Sequence, residues 1–241
     1  NHGEDVKEYY YYLDATPTHS YLKFLYKYPQ SSFPYEELIT TNKNRAKEEE
    51  EYELLDTGIF KEDRYFDIFI TYAKKEEDEI AIELTACNRG PESAPLHIIP
   101  QYWYRNTWSW NVTHDPKPTI YTDSNNNESL CIVADDLNLS LPGLPFKYSL
   151  GKRYLYATPG ATPLFTNNET NTQDLWNTPS HTPYVKDGFH HHIINNAPTV
   201  NPKEEGTKAA LHYYFPEVKS NQKVSIQLLL TNKKQKSPLT H

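Results

Sequence analysis

Apolar and polar positions alternate along much of this chain. Phe66, Ile68, Ile70 and Tyr72 recur at every second residue, and so do Ile80, Ile82, Leu84 and Ala86. A period of two predicts strands with one buried face. Polar turns bound them at Lys74 to Asp78 and at Asn88-Arg89-Gly90-Pro91, so the pair reads as two adjacent antiparallel strands. A third strand is expected from Leu96 to Arg105, with Pro100 marking an edge or a bulge. Further strands are expected at Ser129 to Ala134, Lys147 to Leu150 and Arg153 to Thr158, with Gly143 and Gly151 in the turns between them. Ala209 to Phe215 and Val224 to Leu230 predict the last two.

One short helix interrupts this pattern, near Pro34 to Arg45. Ser32 is its candidate N-cap, Pro34 suits the first turn, and Glu36 and Glu37 suit the positive end of the dipole. Lys43, Arg45 and Lys47 suit the other end, and Glu48 to Glu51 read as a solvated connector. From Gly160 to Gly206 the chain is rich in Asn, Thr and Pro and loses its period. Connections of that length are uncommon in compact domains unless they carry function. No internal repeat is visible. The fold class expected is mainly β: an antiparallel β-sandwich with one short helix and long loops.

Composition narrows the picture. The chain has 241 residues, 37% hydrophobic and 23% charged, which is enough for a packed core. Its 20 tyrosines and 18 prolines against 8 glycines fit short strands and rigid turns. A net charge of −8 argues against a nucleic acid or an anionic membrane as partner. No apolar run approaches the roughly 18 residues of a membrane span, and no signal-peptide pattern opens the chain, so the cytoplasm is the expected compartment. Cys87 and Cys131 sit in apolar alternating runs and are expected as buried free thiols. The four Asn-x-Ser/Thr sites, at Asn111, Asn127, Asn138 and Asn168, are near chance in so Asn-rich a chain.

Two aromatic blocks carry the candidate chemistry. Tyr9 to Tyr12 lie between Glu4, Asp5 and Glu8 on one side and Asp14 on the other, followed by Thr18, His19 and a second run, Tyr21, Phe24, Tyr26 and Tyr28. Tyrosine has an apolar face and a polar tip, which suits half-wet concave surfaces such as those that hold sugars. Filling the core and edge of a sheet is the plainer use of such residues. The second block is Tyr102 to Trp110. In a strand, alternate residues face opposite sides, so one face would enter the core and the other would form a platform, although a tryptophan-rich sheet core is the plainer reading. Arg105 and Asn106 beside those tryptophans suit a hydroxyl or carboxylate ligand. His190-His191-His192 invites a metal, but in a strand only His190 and His192 share a side. No neighbouring Cys, Asp or Glu pattern in the sequence completes a ligand set. Neither a metal nor a cofactor is expected.

A series of motifs runs nearly the whole length: NHGEDVKEYYYYLD, TPTHSY, LYKYPQ, FPYEEL, YELLDTGIF, DRYFD, YAK, NRGPE, WYRNTWSW, FTNNETN, VKDGFH, VNP and GTKAA. In type and order it resembles glycoside hydrolase family 63 and its relatives, the processing α-glucosidases and mannosylglycerate hydrolases. The resemblance implies an N-terminal β-sandwich of supersandwich type, followed in such enzymes by an (α/α)6 barrel that holds the acid and base of an inverting hydrolysis. Inverting chemistry needs two carboxylates roughly 6.5–9.5 Å apart. Among 32 acidic residues, pairs chosen by eye mean nothing, and no long series of amphipathic helices is present to form the barrel. No catalytic residue is therefore assigned to this chain. It is expected to be one β-sandwich domain over residues 1–241, a fragment of a longer chain.

Three function classes follow. The first is the non-catalytic β-sandwich of a glycoside hydrolase acting on α-glycosidic bonds, packed on the helical catalytic domain of the same parent chain, with a carbohydrate as substrate. The second is a free-standing carbohydrate-binding module, and the third is a structural β-domain without ligand. In the first class, the residues expected at the active-site rim or the interdomain surface are Glu4, Asp5, Glu8, Tyr9, Thr18, His19, Trp103, Arg105, Asn106, Trp108, Glu169, Asn171, Lys186 and Asp187. Glu4 to His19 are further expected to lie near Trp103, Arg105 and Asn106, because an arginine among aromatics needs a carboxylate if it is buried.

Overall fold

A computed structural model describes residues 8–109, 116–124, 129–137, 146, 148–236 and 238–239. The chain is mostly β, 42% strand and 14% helix, with antiparallel sheets of the β-sandwich class. It divides into two compact units. One comprises residues 1–75, 81–96 and 215–226, and the other 76–80, 97–214 and 227–241.

In the first unit the strand order is β1 (Tyr10–Ala15), β2 (Tyr21–Pro29), β3 (Tyr65–Glu76) and β4 (Glu79–Asn88). The alternating runs at Phe66 and Ile80 thus form neighbouring strands, as their period predicts. β2 and β3 pair antiparallel from Tyr21 opposite Ala73 to Pro29 opposite Tyr65. β1 is an edge strand exposed along its whole length, and its pairing with β2 is interrupted by a bulge between Tyr12 and Asp14. Bulges on edge strands discourage further strand addition.

The helix α1 (Tyr35–Asn44) starts where the sequence places it, with Glu36 and Glu37 in the first turn and Lys43 in the last. Ser32 does not cap it. Pro34 occupies the cap position without a side-chain bond, because a proline there already fixes the chain direction. Leu38 faces inward, and the far end is latched by Asn42, whose amide exchanges two hydrogen bonds with the Tyr52 backbone.

In the second unit one sheet has the order β13 (Lys223–Thr231), β9 (Lys152–Ala157), β8 (Leu130–Asp135), β7 (Thr119–Thr122) and β11 (Glu205–Gly206). The other has β10 (Thr162–Thr166), β12 (Lys208–Val218) and β5 (Ala94–Ile98), with β6 (Gln101–Trp103) also pairing to β12. By residue number β3, β4, β5, β12 and β13 each contribute to both units. Pro100 separates β5 from β6, so the single strand expected from Leu96 to Arg105 is two short ones.

β8 is central and apolar, and Cys131, Val133, Tyr156 and Leu229 form a core around it. Both cysteines are free and buried. Burial pushes the Cys131 thiol up to about 12, which keeps it protonated and unreactive.

Two expectations fail here. Tyr148 to Leu150 do not form a strand (Lys147 lies outside the described residues), because the buried Asp136 carboxylate takes hydrogen bonds from the Ser149 hydroxyl and from the Leu150 and Gly151 amides. Those bonds curl the segment into a loop that ends at Gly151, with φ +66°. The aperiodic stretch from Gly160 to Gly206 is not a plain loop either. Besides β10 and β11 it holds α2 (Thr172–Trp176) and α3 (Gly188–Asn195), so the described residues contain three α-helices where one was expected. Short helices bounded by Asn caps leave little periodicity for a sequence reading to detect.

Candidate functional site

Seven of the motifs meet in two polar assemblies, one in each unit. In the first unit LYKYPQ, DRYFD and NRGPE meet. Asp67 is 5% exposed and accepts from Lys27 Nζ on one oxygen and from Arg89 Nε on the other, each at 2.7 Å. Hydrogen bonding to the carboxylate raises the Arg89 pKa, so the guanidinium stays charged. Asn88 is fully buried. Its amide nitrogen donates to the Glu92 and Val218 carbonyls, and its oxygen accepts from Gln30 Nε2 and the Gly90 amide. An asparagine that fills both donors and both acceptor positions has nothing left for a ligand.

In the second unit WYRNTWSW, FTNNETN, VKDGFH and GTKAA meet. Trp108 is buried, and its indole nitrogen donates to Glu169 Oε1 at 2.9 Å. Lys117 Nζ donates to the same oxygen. Burial works to raise the Glu169 pKa, but the bonds from Lys117 and Trp108 outweigh it and hold the carboxyl below its usual range. Asn168 braces the same place. Its side chain donates to the Tyr104 carbonyl at 2.8 Å, and its amide donates to the Thr207 hydroxyl at 2.7 Å.

Two glycines make this packing feasible. A Cβ at Gly206 would overlap the Thr166 carbonyl, and one at Gly188 the Thr199 carbonyl. The Thr166 hydroxyl is buried without a hydrogen-bond partner, and so are Tyr104 Oη and Thr107 Oγ1. Burial also raises the Tyr104 and Tyr102 pKa values, the latter to about 12.

Beside this lies a loop cluster. The amide of Asn167 donates to the Tyr184 carbonyl and that of Lys186 to the Glu169 carbonyl, so residues 167–169 and 184–186 run side by side. Asn171, the N-cap of α2, accepts from the Asp174 amide. Its own side-chain nitrogen donates to Asp174 Oδ2 at 2.9 Å and to Asp187 Oδ2 at 3.0 Å. Asp187 precedes α3, which is anchored by Phe189 against Leu164 and Ala210. One turn on, His191 Nε2 reaches Asp174 Oδ2 at 3.7 Å and Asp187 Oδ2 at 3.9 Å. Asn171, Asp174 and His191, with Ser180, Thr182 and Thr199, line a cavity of about 270 Å³.

The histidine run is therefore helical, not extended, and its pairing by alternation does not apply. Helical spacing sends neighbours in different directions. His191 is the member brought to the acids, and they come from residues far from it in sequence as well as four positions back. Asp174 carried no motif signal; only its position three residues after a capping Asn marked it.

The rim candidates divide between the units. Glu4 and Asp5 lie outside the described residues, as do Trp110 and the sites at Asn111, Asn127 and Asn138. In the first unit, Glu8 accepts from Tyr26 Oη at 3.0 Å, and Tyr9 packs edge-on against Phe60. Thr18 bonds Ser20, and His19 takes a turn conformation with φ +52°. In the second unit, Trp108, Glu169, Asn171 and Asp187 join the assembly just described. Lys186 enters through its carbonyl, which accepts from Lys208 Nζ.

The alternating platform expected of Tyr102 to Trp110 is not formed among its described residues, 102–109. β6 ends at Trp103, and Asn106 bonds both the amide and the hydroxyl of Ser109, turning the chain. Trp103 is left 54% exposed and Arg105 exposed, while Trp108 is buried.

No helix is long and apolar enough to cross a membrane. No family model matches the chain. It is similar to the protein named "Uncharacterized protein YMR196W" of Saccharomyces cerevisiae (strain ATCC 204508 / S288c), with 34% identity over 264 aligned positions. The similarity covers 96% of this chain and 23% of the yeast protein, so the chain spans about a quarter of the relative's length.

Proposed function

We propose that this chain is the non-catalytic β-sandwich portion of an inverting glycoside hydrolase that acts on α-glycosidic bonds. In this reading it packs on a helical catalytic domain of the same protein and lends loops to the rim of the active site. The ordered motif series from NHGEDVKEYYYYLD to GTKAA carries the reading. The β-sandwich class of the fold and the greater length of the yeast relative are in keeping with it.

Exposed aromatics in each unit suit such a role. Tyr10, Tyr11, Tyr12 and Leu13 on β1 are 56%, 43%, 85% and 47% exposed, and Trp103 is 54% exposed. Apolar groups of this size left open on a monomer suit a docking or ligand face. The acid and base would come from the catalytic domain, and this chain would supply shape and hydrogen-bonding edges.

The test is hydrolysis of α-glucosides and mannosylglycerate followed by proton NMR. The full-length protein is expected to release sugar first as the β-anomer, the product of inversion, and residues 1–241 alone are expected to release none. Turnover by the isolated chain would misplace the active site. Failure of the full-length protein on every α-linked substrate would remove the hydrolase reading.

A further inference from the structure

We propose that Asp174, Asp187 and His191 form a binding site for a first-row divalent cation of the zinc class, with Asn171 as the residue that positions the two carboxylates. The proposal does not depend on the carbohydrate reading.

One donor atom from each of the three side chains lies within 4.8 Å of the other two. Metal–nitrogen and metal–oxygen bonds of roughly 2.0–2.2 Å would bring all three onto one ion after small side-chain rotations. Both carboxylates bring their Oδ2 atoms together, an arrangement that like charges resist. Among the described residues, the ion-pair partner of both is the same imidazole.

The carboxylate of Asp187 is half-buried, with one oxygen turned inside and the other at the cluster. Asp187 Oδ1 is buried and has no hydrogen-bond partner, whereas Oδ2 is already shared with Asn171 and His191.

The surroundings match what metal-bound carboxylates need. Asn171 donates one N–H to each Oδ2, the orienting contact commonly found behind ligating carboxylates. Its position is fixed in turn, because its oxygen caps α2 through the Asp174 amide. His191 is fixed by α3, which Phe189 and Ile193 anchor to the core. One imidazole with two carboxylates suits zinc and its neighbours better than calcium or magnesium, whose sites are built from oxygen alone. Three protein ligands leave a coordination position open, and Asp174 and His191 also line the cavity.

The test is calorimetric titration of zinc into EDTA-stripped full-length protein, compared with His191→Ala, Asp187→Asn and Asn171→Ala variants. Cobalt is used in parallel for its visible absorption. The parent is expected to bind one equivalent that His191→Ala and Asp187→Asn each lose, and Asn171→Ala is expected to weaken that equivalent at least about tenfold. Cobalt should give a ligand-field band in the parent that His191→Ala abolishes. Unchanged melting temperatures of the metal-free variants would show that lost binding is not lost folding, and His191 is exposed enough for this to hold. Equal zinc binding by parent and His191→Ala, or a site that takes calcium and ignores zinc, would overturn the proposal.

Discussion

The two polar assemblies are built from the same kinds of residue and differ in completeness. Around Asn88 and Asp67 each donor described above has an acceptor: two cations share one carboxylate, and one amide fills four positions. Among the described residues, no orphaned buried side-chain oxygen falls in that first unit. Around Glu169 and Asp187, by contrast, Tyr104, Thr107, Thr166 and Asp187 each leave a buried oxygen without a partner. A closed network rigidifies, whereas an open one has capacity to spare. On this view motifs such as NRGPE hold the fold, and FTNNETN with VKDGFH face a ligand or a neighbouring domain.

The largest expected effect falls on the closed network. Asn88→Leu would strand the Gln30 amide, the Gly90 N–H and the Val218 carbonyl, with a loss of about 3 kcal/mol on urea unfolding. A loss under about 1 kcal/mol would show that the network is not closed.

A smaller, pH-dependent effect is expected in the open assembly. The Glu169 pKa is depressed from its ordinary 4.5, so the unfolded chain binds more protons as pH falls below that value. The stability Glu169 contributes is thus present above 4.5 and lost as pH falls through the folded-state value. Lys117→Met should remove part of that dependence. Stability profiles of parent and variant that run parallel from pH 3 to 6 would contradict the assignment.

Smaller still is Thr166→Val. Its hydroxyl is buried and unpartnered, so its removal is expected to be neutral or slightly stabilising, within about 0.5 kcal/mol. A clear loss would reveal a partner and narrow the contrast between the assemblies. On the exposed edge, Tyr12→Ser should change stability by less than about 0.5 kcal/mol.

Period-two runs made the strands legible, and the acid–base bias marked α1, because both signals are local. The closed network was invisible for the opposite reason: Lys27, Asp67 and Arg89 meet only once β2, β3 and the turn after β4 are paired. The Trp108 to Glu169 bond was half legible. Both residues stood in motifs, but nothing in the sequence joined them across 61 positions. The histidine run misled because a helix of eight residues carries too little pattern to outvote its strand-rich surroundings. The tryptophan block misled because the Asn106 side chain turns the chain where alternation would continue it.

Under the proposed function, the second assembly and Trp103 serve the active site of a larger hydrolase, while the first assembly serves only the fold. Steady-state kinetics of the full-length protein on an α-glucoside test it most directly, with Trp103→Ala and Glu169→Gln measured against the parent and melting temperatures taken in parallel. A fall in kcat/KM of about tenfold is expected for Trp103→Ala at an unchanged melting temperature, with a comparable fall for Glu169→Gln. Unchanged kcat/KM in both variants would contradict it.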